Sequence, residues 1–324
     1  MSPKKQELLK KMSDKNGVIS ALAIDQRGSL KRMLAAASGK PANEEDIVDF
    51  KKVVSSELTK YASAILLDPQ YGLPAAKVRD ASCGLLTSYE NTGFIDPGHM
   101  PSLLPDWSVR RLIAAGADSI KVLLYYNPDE DKSINEKKHA FIERIGDECD
   151  AENIPLFVEF VTYDNNVTDS LSPEYAKLKP SKVIRTVKEF SKPQYKIDVL
   201  KLEVPVNMDY VESYNGDNPV VYTRDEAKKF FKAESDATNL PYIFLSAGVT
   251  TEMFQDELKL AHEAGAKFNG VLCGRATWRH AVDAYGENGE QSCRKWLETQ
   301  GKKNIEELND LLAKTATPWS EKIN

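Results

Sequence analysis

Short, nearly continuous apolar runs recur along the chain, each followed by an amphipathic stretch. The runs are residues 19–25 (ISALAID), 63–68 (SAILLD), 119–126 (SIKVLLYY), 155–162 (PLFVEFVT), 199–206 (VLKLEVPV), 242–246 (YIFLS) and 270–274 (GVLCG). A weaker run at 84–89 (GLLTSY) makes the eighth. Apolar character that does not alternate marks strands buried on both faces. Between them lie helical patterns. Residues 44–58 space Ile47, Phe50, Val53 and Val54 along one face, and 135–149 do the same with Ala140, Ile142 and Ile145. Residues 107–115 run into Gly116, and 251–264 run into Gly265, both glycine stops. Thr223 and Glu226 fit a capping box ahead of Ala227, Phe230 and Phe231. Pro180 suits the first turn of a helix reaching about Lys192.

Strict alternation of strand and helix means parallel pairing, because parallel neighbours need crossover connections. Eight such units in a chain of 324 residues predict an α/β fold, a (β/α)8 TIM barrel. An open doubly wound sheet would place a glycine-rich turn after strand one, and Asp25-Gln26-Arg27-Gly28 is not one. The predicted organisation is one domain over 1–324. The barrel occupies about 17–285, with extra helices in 1–16 and 286–324.

Composition narrows the function. The 43 Lys plus Arg against 49 Asp plus Glu leave a net charge of -6, which attracts neither nucleic acid nor anionic lipid. No apolar run approaches the ~20 residues that span a bilayer, and the first fifteen residues are too charged for a signal peptide. Four scattered cysteines without a CxxC pair read as reduced thiols, so the expected location is the cytoplasm. Four histidines without HxH or HxxxH spacing offer no zinc ligand set, and no metal is expected.

Charge inside a buried strand is costly, so its exceptions carry information. Strand four holds Lys121, strand five Glu159, and strand six Lys201 followed by Glu203; Asp25 ends strand one. In a barrel these converge at the C-terminal ends of the strands, where active sites form. A lysine ammonium has a pKa of about 10.4. Burial beside a second cation lets such a group shed its proton and act as a Schiff-base nucleophile. A carboxylate such as Glu159 then moves protons. A buried ion pair without a task is the bland reading for any one lysine; three charged interior positions on successive strands favour chemistry. The residues alone do not choose between Lys201 and Lys121.

Strand seven ends in Leu245-Ser246-Ala247-Gly248 and strand eight in Cys273-Gly274-Arg275. Loops after strands seven and eight commonly bind phosphate in such barrels, with glycines admitting the anion to backbone N–H groups. Ser246 and Arg275 are the expected side-chain donors, and Arg27 is a candidate for a second anion contact. Cys273 reads as packing; Tyr125, Tyr126 and Trp278 are candidates to wall the cavity.

Long strings in order along nearly the whole chain resemble the class I tagatose 1,6-bisphosphate aldolase family. They are ISALAIDQRGSLKRM, ILLDPQYGLPA, KVLLYYNPDED, LKLEVPVNM, LSAGVTTEMFQ, FNGVLCGRATW and TATPWSEK. The resemblance implies a Schiff-base lysine at Lys201, an acid/base glutamate at Glu159 and an accompanying lysine at Lys121. It implies substrate contacts from Asp25, Gln26 and Arg27, and phosphate-binding segments at Ser246, Ala247, Gly248, Gly274 and Arg275. The implied reaction is cleavage of a small-molecule ketose bisphosphate in lactose and galactose catabolism, with no cofactor beyond the lysine imine. Two alternatives stand beside it: an aldolase for another ketose phosphate (fructose bisphosphate or a sulfonated ketose phosphate), and a sugar-phosphate sensor binding a transcriptional regulator. Exposed apolar residues are expected in the C-terminal helices, where they would support a homodimer.

Overall fold

Parallel pairing in chain order closes eight strands into a barrel. The computed structural model describes residues 1–323. The strands are β1 (Ile19–Ala23), β2 (Ala64–Leu67), β3 (Gly84–Ser88), β4 (Ser119–Tyr126), β5 (Leu156–Thr162), β6 (Val199–Leu202), β7 (Tyr242–Leu245) and β8 (Gly270–Cys273), and β8 pairs with β1. Helix α1 (Pro3–Lys11) precedes them. Helices α2 (Gly28–Ser38) and α3 (Glu44–Leu58) follow β1; α4 (Leu73–Lys77), α5 (Val109–Ala114), α6 (Lys132–Ala151), α7 (Pro173–Phe190), α8 (Arg224–Asp236) and α9 (Thr251–Glu263) follow β2 to β7. Helices α10 (Arg275–Trp296) and α11 (Lys302–Thr315) follow β8. The barrel and its strand positions are those expected from the apolar runs.

Because side chains alternate along a strand, every second residue points into the barrel. Ala21, Ala64, Leu66, Leu86, Phe157, Val199, Ile243 and Leu272 form one inner apolar cluster, joined by Leu9, Met12 and Trp319. Helix α1 thus stoppers the barrel at the N-terminal ends of its strands. Burying each of Leu9 and Met12 stabilises by about 1.5–3 kcal/mol. Ion pairs from α1 fix its seat, Lys5 Nζ to Asp198 at 2.9 Å and Lys11 Nζ to Asp118 at 2.7 Å. Two further apolar clusters fill the space between strands and outer helices. The inward positions above the inner cluster are the ones left for polar chemistry.

Two expectations are corrected and one helix is added. The helix assigned to Pro180 begins at Pro173, where Ser172 caps it by accepting from the Tyr175 N–H. It runs through Pro180 because Tyr175, Ala176, Val183, Val187 and Phe190 keep one continuous buried face. Helix α2 was not expected; it starts at Gly28 without a side-chain cap, so the usual signal is missing. Among the described residues the large exposed apolar side chains include Phe94, Ile95, Leu171 and Val220, and none lies in 291–314. The apolar surface expected on the C-terminal helices is packed inward instead, through Leu297, Ile305, Leu308 and Leu312.

Candidate active site

Lys121, Glu159 and Lys201 occupy inward positions on adjacent strands, and Glu159 is the register partner of Lys201. Two-residue spacing from Phe157 and Val199 in the apolar floor makes this unavoidable: the next inward residues up are Glu159 and Lys201. Oε2 of Glu159 lies 2.8 Å from Lys201 Nζ and 2.8 Å from Lys121 Nζ. Lys121 also meets Asp25 Oδ2 at 3.0 Å and Glu90 Oε1 at 2.8 Å. One ammonium is therefore held by three carboxyl groups, while Lys201 has a single carboxylate partner among the described residues.

This pairing decides the electrostatics. Burial alone would pull Lys121 down, but Asp25, Glu159 and Glu90 together hold it well above the usual lysine range. Burial would likewise raise Glu159, yet the Lys121 and Lys201 ammoniums outweigh it and keep the carboxyl below its ordinary value. Asp25 is held low by the same balance of burial against Lys121 and Lys201. Glu90 goes the other way, because its burial exceeds the pull of Lys121. Lys121 thus faces three carboxyls and helps to hold Glu159 and Asp25 below their ordinary values.

The end of β1 is fixed from behind. Lys51, fully buried on α3, donates to the Ile24 carbonyl at 2.9 Å and pairs with buried Asp68. Asp25 is thereby aimed at Lys121, and Gln26 lines the same cavity. Arg27 lines the cavity too and is held in place by two contacts. Its guanidinium donates to Gln70 Oε1 at 2.9 Å and to the Glu90 carbonyl at 2.8 Å, tying the end of β1 to the end of β3.

The loops after β7 and β8 come together as expected. Ala247 and Gly248 both have left-handed backbone, with φ of 48° and 86°. A Cβ on Gly248 would sit 2.8 Å from the Arg275 guanidinium carbon, so only glycine lets that guanidinium lie across the peptide. Arg275 reaches the Ala247 carbonyl at 3.5 Å and opens α10, whose N-terminus bears the positive end of the helix dipole. Gly274 caps that helix, and its own Cβ would stand 3.0 Å from the Ala23 carbonyl. Ala247 and Arg275 line the cavity; Ser246 is buried and stands off its wall, as do Gly248 and Gly274.

The cavity itself measures about 540 Å³ and is lined by all three inward charged residues. Tyr125 forms part of the wall, whereas Tyr126 and Trp278 pack outside the barrel, Trp278 donating to the Ala23 carbonyl at 2.8 Å. Burial pushes the Cys273 thiol up to about 11, as fits a packed and unreactive side chain. Glu203 accepts from the Thr162 N–H at 2.7 Å and from its hydroxyl at 2.9 Å, clamping the ends of β5 and β6 together. Glu90 escaped the sequence reading because it lies beyond the weakest apolar run, two residues past the end of β3. Its one signal was the inward spacing from Leu86 and Ser88.

An amine with one carboxylate neighbour, a carboxylate shared with a second cation, and an anion-binding corner across two loops suit attack on a carbonyl carried by a phosphorylated molecule. Among the described residues no cluster of three His, Cys, Asp or Glu is arranged to hold a metal ion. The three carboxyl groups that do converge enclose the Lys121 ammonium.

Comparison with known proteins agrees with this chemistry. A family model described as DeoC/LacD family aldolase matches residues 19–280. The chain is 55% identical to tagatose 1,6-diphosphate aldolase 2 of Enterococcus faecalis, over 98% of this chain and 96% of that protein. It is 52% identical to tagatose 1,6-diphosphate aldolase of Lactococcus lactis, over 100% and 99%. Among solved structures, a fructose-bisphosphate aldolase from Plasmodium falciparum superposes with a TM-score of 0.69 at 14% identity, covering 94% of each chain. An archaeal fructose-1,6-bisphosphate aldolase, with its catalytic lysine bound to a carbinolamine, gives 0.52 at 17% identity, covering 91% of this chain and 99% of its own. At such identities the two structures speak for the fold alone.

Proposed function

The chain belongs to the DeoC/LacD family of aldolases, and from that premise we propose that it cleaves D-tagatose 1,6-bisphosphate through a lysine imine, giving dihydroxyacetone phosphate and D-glyceraldehyde 3-phosphate. The enzyme is a carbon–carbon lyase. The observation that carries the reading is the single oxygen of Glu159 set 2.8 Å from both lysines.

Lys201 is the nucleophile. Lys121 has its protons committed to three carboxyls, whereas Lys201 needs to pass one proton to Glu159 to free its lone pair. Arg275, the amides of the β7 loop and the start of α10 anchor the C1 phosphate of the open-chain sugar. The Lys201 amine adds to C2. With the lysine neutral, Glu159 loses one of the two cations that keep its proton affinity low, so it becomes the acid that protonates the departing C2 hydroxyl as water leaves. The product is an iminium.

Glu159, again ionised, takes the C4 hydroxyl proton. The C3–C4 bond breaks, its electron pair moves into the C2–C3 bond and the iminium nitrogen is neutralised. The aldehyde product departs. Protonation of the enamine at C3 and addition of water at C2 release dihydroxyacetone phosphate and restore Lys201. No step calls on a metal, so full turnover after EDTA treatment is expected. Such a reaction belongs to the tagatose phosphate route of lactose and galactose breakdown, in the cytoplasm.

The test is product analysis with tagatose, fructose and sorbose 1,6-bisphosphates side by side. Equal amounts of the two triose phosphates from the tagatose substrate support the reading. Failure to cleave it while another ketose phosphate is turned over would replace the substrate, and failure with all three would remove the activity.

A further inference from the structure

In a closed eight-strand barrel β3 stands four strands from β7, on the opposite wall. A sugar held by its phosphate at the β7 and β8 loops and by C2 at Lys201 on β6 must therefore run its far half toward the ends of β1 and β3. The side chain waiting there on β3 is Glu90. It lines the cavity, and its backbone carbonyl is pinned by Arg27 at 2.8 Å. One carboxyl oxygen, Oε1, meets Lys121 at 2.8 Å, while Oε2 is buried without a hydrogen-bond partner among the described residues. Buried carboxyl oxygens are rarely left unpartnered, and each one calls for an explanation. A residue that served only to neutralise Lys121 would be redundant, since Asp25 and Glu159 already do so.

We propose that Glu90 is a substrate-contacting residue whose second carboxyl oxygen hydrogen-bonds a hydroxyl on the half of the sugar that departs as the aldehyde. The inference rests on the lysine-imine reading above. Burial raises the Glu90 carboxyl above its ordinary value, with Lys121 and Arg27 opposing.

The experiment separates the two halves of the substrate. Hydrogen–deuterium exchange at C3 of dihydroxyacetone phosphate requires Lys201 and the proton-transfer groups but involves no aldehyde half. Glu90→Ala is expected to lower kcat/KM for cleavage of the ketose bisphosphate by about ten- to a hundred-fold, the loss of one buried hydrogen bond, and to leave exchange nearly unchanged. Glu90→Gln, which keeps shape and a donor, is expected to recover most of the cleavage. If exchange falls in parallel with cleavage in the correctly folded Gln variant, Glu90 acts only by holding Lys121 and the proposal is wrong. Unchanged cleavage in both variants also overturns it. If the wild-type enzyme itself fails to exchange, the fault lies with the imine reading instead.

Discussion

Glu159 and Lys201 face each other across the β5–β6 ladder, and the Oε2-to-Nζ distance is 2.8 Å. The contact is a product of register: a shift of one residue on either strand would turn one of the two side chains out among the helices. Every proton the proposed reaction moves to or from the lysine has this carboxylate within reach.

Removing that carboxylate tests its part in the chemistry. Glu159→Gln keeps the volume but cannot take a proton, so kcat for cleavage is expected to fall by about 10²- to 10⁴-fold. Lys121 retains Asp25 and Glu90, so folding should survive. Single-turnover kinetics with unchanged rates of imine formation and cleavage would contradict the assignment.

The phosphate corner depends on a glycine. Gly248→Ala puts a methyl group 2.8 Å from the Arg275 guanidinium carbon at a backbone φ of 86°, so the guanidinium must move. The variant is expected to raise KM by about tenfold, approaching Arg275→Ala, with a smaller change in kcat. Inhibition by inorganic phosphate, measured as an inhibition constant, should weaken in step. A Gly248→Ala enzyme with unaltered KM and phosphate inhibition would show that the corner does not hold the phosphate.

A buried acid on α9 gives a pH signature. Burial pushes the Glu257 carboxyl up to about 8 against an ordinary 4.5, with Lys179 only partly opposing. Below pH 4.5 both folded and unfolded chains carry the proton and nothing is lost. As pH rises toward 8 the unfolded chain releases a proton that the folded one keeps, so folding is progressively disfavoured, by up to about 4 kcal/mol. Glutamine does not titrate. The Tm of Glu257→Gln minus that of the wild type should therefore grow between pH 5 and pH 9. A difference that stays flat across this range would contradict the buried placement.

Much of the fold is written in the apolar runs, because strands covered on both faces have no freedom to be polar except where chemistry needs it. That is why Lys121, Glu159 and Lys201 stood out in sequence, and why β4 and β5 were placed within a residue, although β6 stops at Leu202, four residues before its apolar run ends. The residue pattern alone left two buried amines open and the family resemblance pointed to Lys201; the structure adds the physical difference between them, three carboxyls on Lys121 and one on Lys201 among the described residues. Arg27 was legible only in part. An arginine after a strand reads as an anion contact, and the backbone carbonyl of Glu90 that satisfies it comes from a distant segment. Pro180 misled because a proline mid-helix is rare, and the continuous buried face that overrides it is a tertiary fact.

The central claim is a covalent bond between Lys201 and the ketone carbon. Borohydride reduction in the presence of dihydroxyacetone phosphate, followed by peptide mapping, tests it most directly. Mass added to Lys201 alone, and lost in Lys201→Ala, is the predicted result. Label on Lys121 or Lys179, or an active enzyme that takes up no label, would contradict it.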